Sequence, residues 1–442
     1  MNTSGIPFEL NGEKIIAQEN ETILKAALRY GVEIPHLCFK EGMKSDGNCR
    51  ACMVEIEGER VLSPACCRNP EPDMKVHSNI DRTVTAQKMI VELLLSDIPE
   101  QQYTLDNELQ YWSKKLDVDT PRFQAREKLN QEMSHPAITV NLDACIHCTR
   151  CLRACRDIQV NDVIGLSRRG HEARIVFDID DPLGNSSCVA CGECIQACPT
   201  VALVPANNVA MIAADKTVNS VCPYCGVGCQ LTYHVKNNKI LYVKGINGPA
   251  NQGRLCIKGR FGFDYIHHPD RLTTPLIRRQ DVAKTAELNF NPGKPLEVFR
   301  EATWDEALDF AAESLKEIIS KKGKYALAGL GSAKGSCEEA YLFQKMIRTG
   351  FGTNNVDHCT RLCHASSVTA LLEGIGSGAV SNPMADVIHS DVIIIIGANP
   401  TVNHPVGATW MKNAIKRGTK LILMDPRGSE LKRYATHFVQ FK

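Results

Sequence analysis

Twelve of the chain's twenty cysteines fall between Cys145 and Cys256, and their spacing is the most specific chemistry in the sequence. They read C-I-H-C-T-R-C-L-R-A-C, then C-V-A-C-G-E-C-I-Q-A-C-P, then C-P-Y-C-G-V-G-C, with one more in G-R-L-C-I-K-G. In a C-x2-C-x2-C-x3-C run, three thiolates meet one four-iron cube and the fourth ligates the neighbouring cube. Structural zinc also uses C-x2-C pairs, but it takes four ligands per ion and rarely packs three thiolates so closely. Iron–sulfur clusters are the stronger reading. The crossed pattern gives Cys145, Cys148, Cys151 and Cys198 to one four-iron cluster, and Cys155, Cys188, Cys191 and Cys194 to a second. Nearer the start, Cys38-x10-Cys49-x2-Cys52 is followed by Cys66 and Cys67. Four thiolates on a long loop with one close pair suit a two-iron cluster. His147, between ligands, reads as a surface residue and not as a ligand.

Composition narrows the class. With 442 residues there is room for several domains, and 51 basic side chains nearly cancel 50 acidic ones. That balance advertises neither nucleic acid nor an anionic membrane as partner. Twenty cysteines could mean disulfides, but disulfide-rich secreted proteins are short and carry a leader. This chain opens M-N-T-S-G-I-P-F-E-L, which is neither a secretory nor a twin-arginine signal. Apolar runs such as Val209–Ala214 and Val392–Ile396 are strand-sized, so no membrane span is expected. Metal-bound thiolates in a reducing cytoplasm fit these facts together.

The elements that must position the cysteines are legible in outline. Segments Pro7–Leu10 and Lys14–Ala17 flank Asn11-Gly12 and predict a β-hairpin. A helix over Thr22–Tyr30 follows, with Gly31 beyond its end. Residues 1–80 are thus expected to form a β-grasp two-iron ferredoxin domain, with Gly47 letting the backbone approach the cluster. Residues 81–135 read as a helical connector. It has an apolar stripe over Thr83–Leu95 (Val84, Met89, Ile90, Leu93, Leu94) and a second helix at Asn107–Leu116. Residues 136–210 repeat a loop-plus-short-helix unit around the two four-iron sets, and residues 215–275 hold the last four clustered cysteines. After a linker at 276–300, residues 301–442 alternate helices (Trp304–Ile319, Cys337–Arg348) with strands (Tyr325–Leu330, Asp391–Ile396, Lys420–Met424). Apolar strands alternating with helices predict a doubly wound parallel sheet, whose ligands bind at the strands' carboxyl ends. The whole is an α+β multidomain chain.

The two-iron spacing is similar to that of the ferredoxin-like domains of complex I large subunits, iron hydrogenases and soluble formate dehydrogenases. In those domains the last ligand lies about seven residues before a Gly-Met pair. Asp73-Met74 stands there in this chain, which implies Cys66 as ligand and Cys67 as a small buried apolar residue. Many relatives place a cluster of one histidine and three cysteines after a Ser-Asp such as Ser96-Asp97. Here Ile98-Pro99-Glu100-Gln101 follows, and that extra cluster is not expected. The segments V-C-P-Y-C-G-V-G-C and G-R-L-C-I-K-G-R-F-G-F-D-Y resemble the opening of molybdenum or tungsten bis-pterin catalytic subunits, and the resemblance runs to the chain end. It implies a third four-iron cluster on Cys222, Cys225, Cys229 and Cys256. Lys258 matches the lysine between cluster and pterin in the formate dehydrogenase branch, where a cation stabilises the reduced cluster. In V-D-H-C-T-R-L-C-H-A-S-S, Cys363-His364 matches that branch's metal-ligating cysteine or selenocysteine followed by histidine, with Arg361 at the familiar offset. Cys359 lacks the histidine, and Cys337 reads as core. Gly397, Asn399, Asn403, Asp425 and Arg427 match contacts to one guanine-dinucleotide tail of the pterin.

The resemblance therefore implies the amino-terminal half of the catalytic subunit of a soluble, NAD-linked formate dehydrogenase. Its cofactors would be one 2Fe-2S cluster, three 4Fe-4S clusters and a molybdenum or tungsten bis-molybdopterin guanine dinucleotide. Formate and carbon dioxide would be the substrate pair. A flavin- and NAD-binding diaphorase-type subunit with further clusters would be the electron partner. A second polypeptide would complete the catalytic domain, or the chain is a truncated product. The rival readings are a complex I-like electron-wiring subunit and another molybdopterin oxidoreductase such as a nitrate reductase. The presence of Cys363-His364 and the absence of the one-histidine cluster motif argue against the first, and the Cys-His pair argues against the second.

Overall fold

The computed structural model describes residues 5–98, 107–127, 129–206, 212–285 and 290–442. The chain divides into two compact units, one running to Asp264 and resuming over Pro383–Lys442, the other Tyr265–Asn382.

The first unit opens with β1 (Ile6–Leu10) and β2 (Glu13–Ala17), antiparallel across a turn in which Asn11 and Gly12 have φ of 54° and 89°. Positive φ at both central residues is the tight-hairpin geometry that an Asn-Gly pair adopts easily. α1 (Ile23–Arg29) begins at Thr22, whose hydroxyl accepts a hydrogen bond from the Lys25 amide. β3 (Met53–Ile56), β4 (Ser63–Pro64) and β5 (Lys75–His77) complete a sheet ordered β2-β1-β5-β3-β4, with β1 and β5 parallel. Leu10, Ile23, Leu24 and Val54 fill the core between sheet and helix.

Two helices follow, α2 (Asp81–Ser96) and α3 (Glu108–Lys115), and residues 99–106 lie outside the described residues. Of the expected apolar stripe on α2, Ile90 and Leu94 pack against the core beside Val91. Leu93 is 45% exposed, and the inward face carries Thr83, Gln87 and Val91. Gln87 shares that face because its amide donates to the Met53 and Ser78 carbonyls and satisfies backbone at the sheet's end.

Next come β6 (Ile138–Val140) and α4 (Arg150–Arg153), which runs into a π-turn over Ala154–Gln159. β7 (Ile164–Ser167), β8 (Arg174–Phe177), α5 (Glu193–Ala197) and β9 (Leu203–Pro205) follow. β6 pairs with β9 and β7 with β8, both antiparallel, so the two cysteine loops sit inside a closed pseudo-repeat. Residues 209–211 of the apolar run Val209–Ala214 fall outside the described residues. β10 (Lys216–Val221), β11 (Gln230–Lys236) and β12 (Lys239–Gly245) then form an antiparallel meander that leads to α6 (Ile257–Phe261).

In the second unit, β13 (Leu276–Arg278) pairs antiparallel with β14 (Phe299–Glu301), so the stretch expected as a linker contains paired strands. α7 (Trp304–Lys322) is capped by the Thr303 hydroxyl. β15 (Gly329–Gly331) starts later than expected because Lys324–Ala326 coils into a 3-10 turn. α8 (Cys337–Lys345) begins with a capping box between Ser336 and Glu339. β16 (Val356–His358) runs parallel to β15, and α9 (Thr360–Cys363) and α10 (Ala365–Ile375) close the unit.

Back in the first unit, β17 (Val392–Ile396), β18 (Lys420–Met424) and β19 (His437–Val439) form a parallel sheet. Between β17 and β18 run α11 (Pro400–Asn403) and α12 (Pro405–Lys416). Ile393, Ile395, Leu421 and Leu423 are buried together with Ala414 of α12. The chain thus mixes α and β elements in several domains, in line with the α+β multidomain class that the sequence predicts. Among the described residues, no helix is long and apolar enough to cross a membrane. Leu421 is fully buried. Leu421→Ala should lower stability by about 2–5 kcal/mol, read as an earlier urea midpoint for this sheet's unfolding.

Candidate functional site

The first thiol set is held by the loop between α1 and β3, joined by Cys66 just beyond β4. Cys38, Cys49, Cys52 and Cys66 are buried, and the Cys38 amide donates to Cys49 Sγ at 3.3 Å. Hydrogen bonding from Cys49 and Cys66 holds the Cys38 thiol well below its usual range, while the two donors are pushed up. Cys52 is likewise held down, first by Cys66. Cys66 therefore touches both Cys38 and Cys52 and completes the set. Cys67 is exposed, correcting the expectation of a buried apolar role, with its sulfur 3.5 Å from that of Cys66.

The next two sets interlock as the crossed pattern requires. The Cys148 thiol is pushed up by burial and then by the nearby Cys198 and Cys145 sulfurs. Cys145 is raised to about 11, again by burial first and with Cys198 close by. In the other set, Cys194 is raised by burial and then by Cys191, Cys188 and Cys155. So Cys198 joins the first loop and Cys155 joins the second. Buried thiols that resist ionisation together are a donor set that needs a cation among them, which fits a cluster core. His147 is half-buried, and its part here is backbone: φ is 53°, and its carbonyl accepts from Asn48 Nδ2 at 3.1 Å.

A third set surrounds a cavity of about 90 Å³ lined by Cys222, Cys225, Cys229 and Cys256 together with Lys258 and Asn403. Burial pushes the Cys229 thiol up to about 12, with the other three sulfurs adding to the rise. Lys258, the second residue of α6, is exposed and stands on the cavity wall. Asn251, fully buried, builds the approach to Cys256. Its side chain accepts from the Gln230 amide and donates to the Gln230 and Arg254 carbonyls. α12 seals this loop, with Trp410 Nε1 donating to the Ala250 carbonyl and the Arg254 guanidinium 3.3 Å from the Trp410 ring centroid.

The expected pterin-tail residues separate into two places. Gly397 and Asn399 follow β17, and Asp425 and Arg427 follow β18, whose last residue Met424 pairs with Ile396. These four therefore share the carboxyl edge of one parallel sheet, the ligand edge of such sheets. The Asp425 carboxylate accepts from the Arg427 and Gly428 amides, which fixes the turn there. Asn403 instead faces the cavity of the third thiol set.

Cys363 and His364 belong to the second unit, at the break between α9 and α10, and both are exposed. Arg361 pairs with Asp357 at 3.2 Å. It lines a cavity of about 680 Å³ at the carboxyl ends of β15 and β16, with Ser332, Glu339, Arg348 and His358. Cys359 is exposed, and so is Cys337, which opens α8 and is not core.

Sequence reasoning missed the buried charges. Arg150 donates to the Leu37 carbonyl and the Glu108 carboxylate, and Arg153 to the Cys38, Lys44 and Cys148 carbonyls. Glu193 and Arg260 pair at 2.8 Å. The available signal was position: each charge sits inside or directly beside a ligand run, where a solvated side chain has little room.

With this geometry in view, the molybdopterin oxidoreductase family matches residues 271–440, and the molybdopterin oxidoreductase Fe4S4 domain matches residues 215–268. A 4Fe-4S dicluster domain matches residues 138–202, and a 2Fe-2S iron-sulfur cluster binding domain matches residues 4–80. The chain carries a molybdopterin oxidoreductase domain joined to 4Fe-4S and 2Fe-2S domains. Among curated proteins it is 30% identical to "Probable oxidoreductase YjgC" of Bacillus subtilis, over 98% of this chain and 47% of that one. It is 29% identical to "Putative formate dehydrogenase SH0748" of Staphylococcus haemolyticus, with the same coverage. The chain thus spans about half the length of the curated relatives it matches. Among solved structures, an NAD+-reducing [NiFe]-hydrogenase aligns with a TM-score of 0.43 and 25% identity, over 46% of this chain and 88% of that one. Acetylene hydratase from Pelobacter acetylenicus aligns with a TM-score of 0.41 and 26% identity, over 50% of this chain and 29% of that one.

Because Cys66 closes the first set and Cys67 stands outside it, their serine variants should differ. Cys66→Ser should lose the two-iron signal in electron paramagnetic resonance, and Cys67→Ser should keep it with unchanged iron content.

Proposed function

We propose that this chain is the amino-terminal half of a formate dehydrogenase catalytic subunit, converting formate to carbon dioxide or the reverse. The observation that carries the proposal is Cys363-His364 in a chain with a molybdopterin oxidoreductase domain, whose relatives include proteins named as formate dehydrogenases. Cys363 would ligate molybdenum or tungsten as a soft thiolate. His364 would hold the substrate anion or steer its proton. Gly397, Asn399, Asp425 and Arg427, gathered at one sheet edge, would hold a guanine-dinucleotide tail, and Asn403 would contact the cofactor nearer the third thiol set. A bound bis-pterin metal supplies a two-electron acceptor for formate, and iron–sulfur clusters supply one-electron storage.

The chain's own residues would do the rest. Cys38, Cys49, Cys52 and Cys66 would hold the 2Fe-2S cluster. Three 4Fe-4S clusters would sit on Cys145, Cys148, Cys151 and Cys198, on Cys155, Cys188, Cys191 and Cys194, and on Cys222, Cys225, Cys229 and Cys256. Lys258 would place a positive charge beside the third set and favour its reduced form. A flavin- and NAD-binding partner in the cytoplasm would receive the electrons, and further polypeptide would complete the catalytic domain.

The test uses the complex purified anaerobically from its host. Formate should bleach the cluster absorbance, and elemental analysis should find molybdenum or tungsten. Cys363→Ser should slow the bleaching at least about 100-fold, because loss even of outer-shell partners costs about 10–100-fold. A complex holding only iron and sulfide, and inert to formate, would overturn the proposal in favour of an electron-wiring subunit.

A further inference from the structure

The second and third four-iron thiol sets meet through two charged side chains. Glu193 lies between Cys191 and Cys194, and Arg260 lies four residues beyond Cys256. Their side chains are only 9% and 4% exposed, and they pair at 2.8 Å. Arg260 Nε also donates to the Cys191 carbonyl at 2.7 Å, and its Nη1 donates to Gln196 Oε1 at 3.0 Å. Glu193 Oε1 accepts a second bond, 2.9 Å from the amide of Leu255, the residue before Cys256. One carboxylate thus reaches from the ligand run of one set to the backbone beside a ligand of the other. The guanidinium returns the contact in the opposite direction.

Space has been cleared for this pair. Gly192 sits at φ 69°, and a Cβ built there would come within 2.1 Å of Arg260 Cδ. A buried ion pair gains little net stability over a well-packed apolar pair, and its best-attested use is to fix one arrangement among several. The pair is not a surplus surface contact.

We propose that Glu193 and Arg260 form the joint between the second and third clusters and set how an electron divides between them. The proposal rests on the cluster assignments above. In a one-electron exchange a cluster held by the third set would lose what one held by the second would gain, with no atom or proton required to move. The guanidinium, bonded to the Cys191 carbonyl, favours the added negative charge on the second set. The carboxylate opposes that pull and fixes the register of Leu255 and Cys256.

The test is a redox titration of the full-length chain, purified anaerobically with its iron and sulfide and followed by electron paramagnetic resonance. Arg260→Gln should move the division of the electron toward the third set by about tenfold, the scale of one charged hydrogen bond. Arg260→Lys, which keeps the charge, should restore part of it. Glu193→Gln, of the same shape, should move the division the opposite way. Gly192→Ala should act like Arg260→Gln, since it expels the guanidinium without changing any charge. Wild-type division in both Arg260→Gln and Glu193→Gln, at full iron content, would overturn the proposal. If Arg260→Gln or Gly192→Ala loses iron, Glu193→Gln and Arg260→Lys decide by the same readout. Absence of any four-iron signal in the wild-type chain would instead sink the cluster assignment itself.

Discussion

The cysteine loops of the first unit answer to one constraint: sulfur atoms that repel each other when ionised must be held close together and largely away from water. The backbone meets it by left-handed turns at equivalent places. In the first four-iron loop His147 and Thr149 have φ of 53° and 59°; in the second, Ala190 and Gly192 have 53° and 69°. Arg50, between Cys49 and Cys52 of the two-iron loop, has 60°. Such conformations cost a non-glycine residue about 1 kcal/mol or more and persist only where the surroundings insist on them. For Thr149 part of the compensation is visible, since its hydroxyl donates to Asp46 at 2.5 Å. The internal repeat is therefore a repeat of backbone geometry as much as of cysteine spacing.

The second device is to hold each ligand loop with a charge from another part of the chain. Arg153 of α4 donates to the Cys38 carbonyl, so a side chain of the four-iron region braces a ligand of the two-iron loop. Glu108 of the connector fixes Arg150, and its backbone amide bonds to the Pro199 carbonyl just after Cys198. α12 reaches both ways, with Trp410 on the third loop and Asn413 on the Ile158 carbonyl. A loop anchored through its carbonyls by guanidinium groups loses freedom without extra apolar mass, which suits segments too short to build their own cores. Four cysteine sets become parts of one packed unit by this route.

Much of this was readable from residues alone because it is local. The Asn11-Gly12 hairpin, α1, and the strands at Val392–Ile396 and Lys420–Met424 follow from periodicity and turn chemistry within a few residues. Cysteine spacing pointed to four groups with Cys155 and Cys198 exchanged, and the sulfur of Cys198 lies near Cys145 and Cys148 while that of Cys155 lies near Cys194. What escaped is long-range. Arg150 finds its carbonyl partner 113 residues away, and Arg260 finds Glu193 across 67. The stripe on α2 was right for Ile90 and Leu94 but omitted Gln87, whose burial depends on backbone partners distant in sequence. Cys67 and Cys337 misled because a free cysteine is usually buried, and nothing adjacent in sequence says when it is not. Asn403 was grouped by motif with the sheet edge, yet one short helix carries it to the cysteine cavity.

The contrast between the cluster thiols and Cys363 is itself informative about chemistry. Thiols that hold an electron-transfer centre gain from complete enclosure, because a fixed, dry environment keeps the energy of charging small and reproducible. A thiol that ligates a reacting metal must leave room for a large organic cofactor and for substrate at the same ion. Cys363 and His364 sit where α9 breaks into α10, and the φ of −127° at His364 interrupts the helix there. That placement presents two different donors on one short exposed segment, in a unit separate from the enclosed sulfur sets. On the function proposed above, burial of the cysteine sets would serve charge storage, and the exposure of Cys363 and His364 would leave room for bond making.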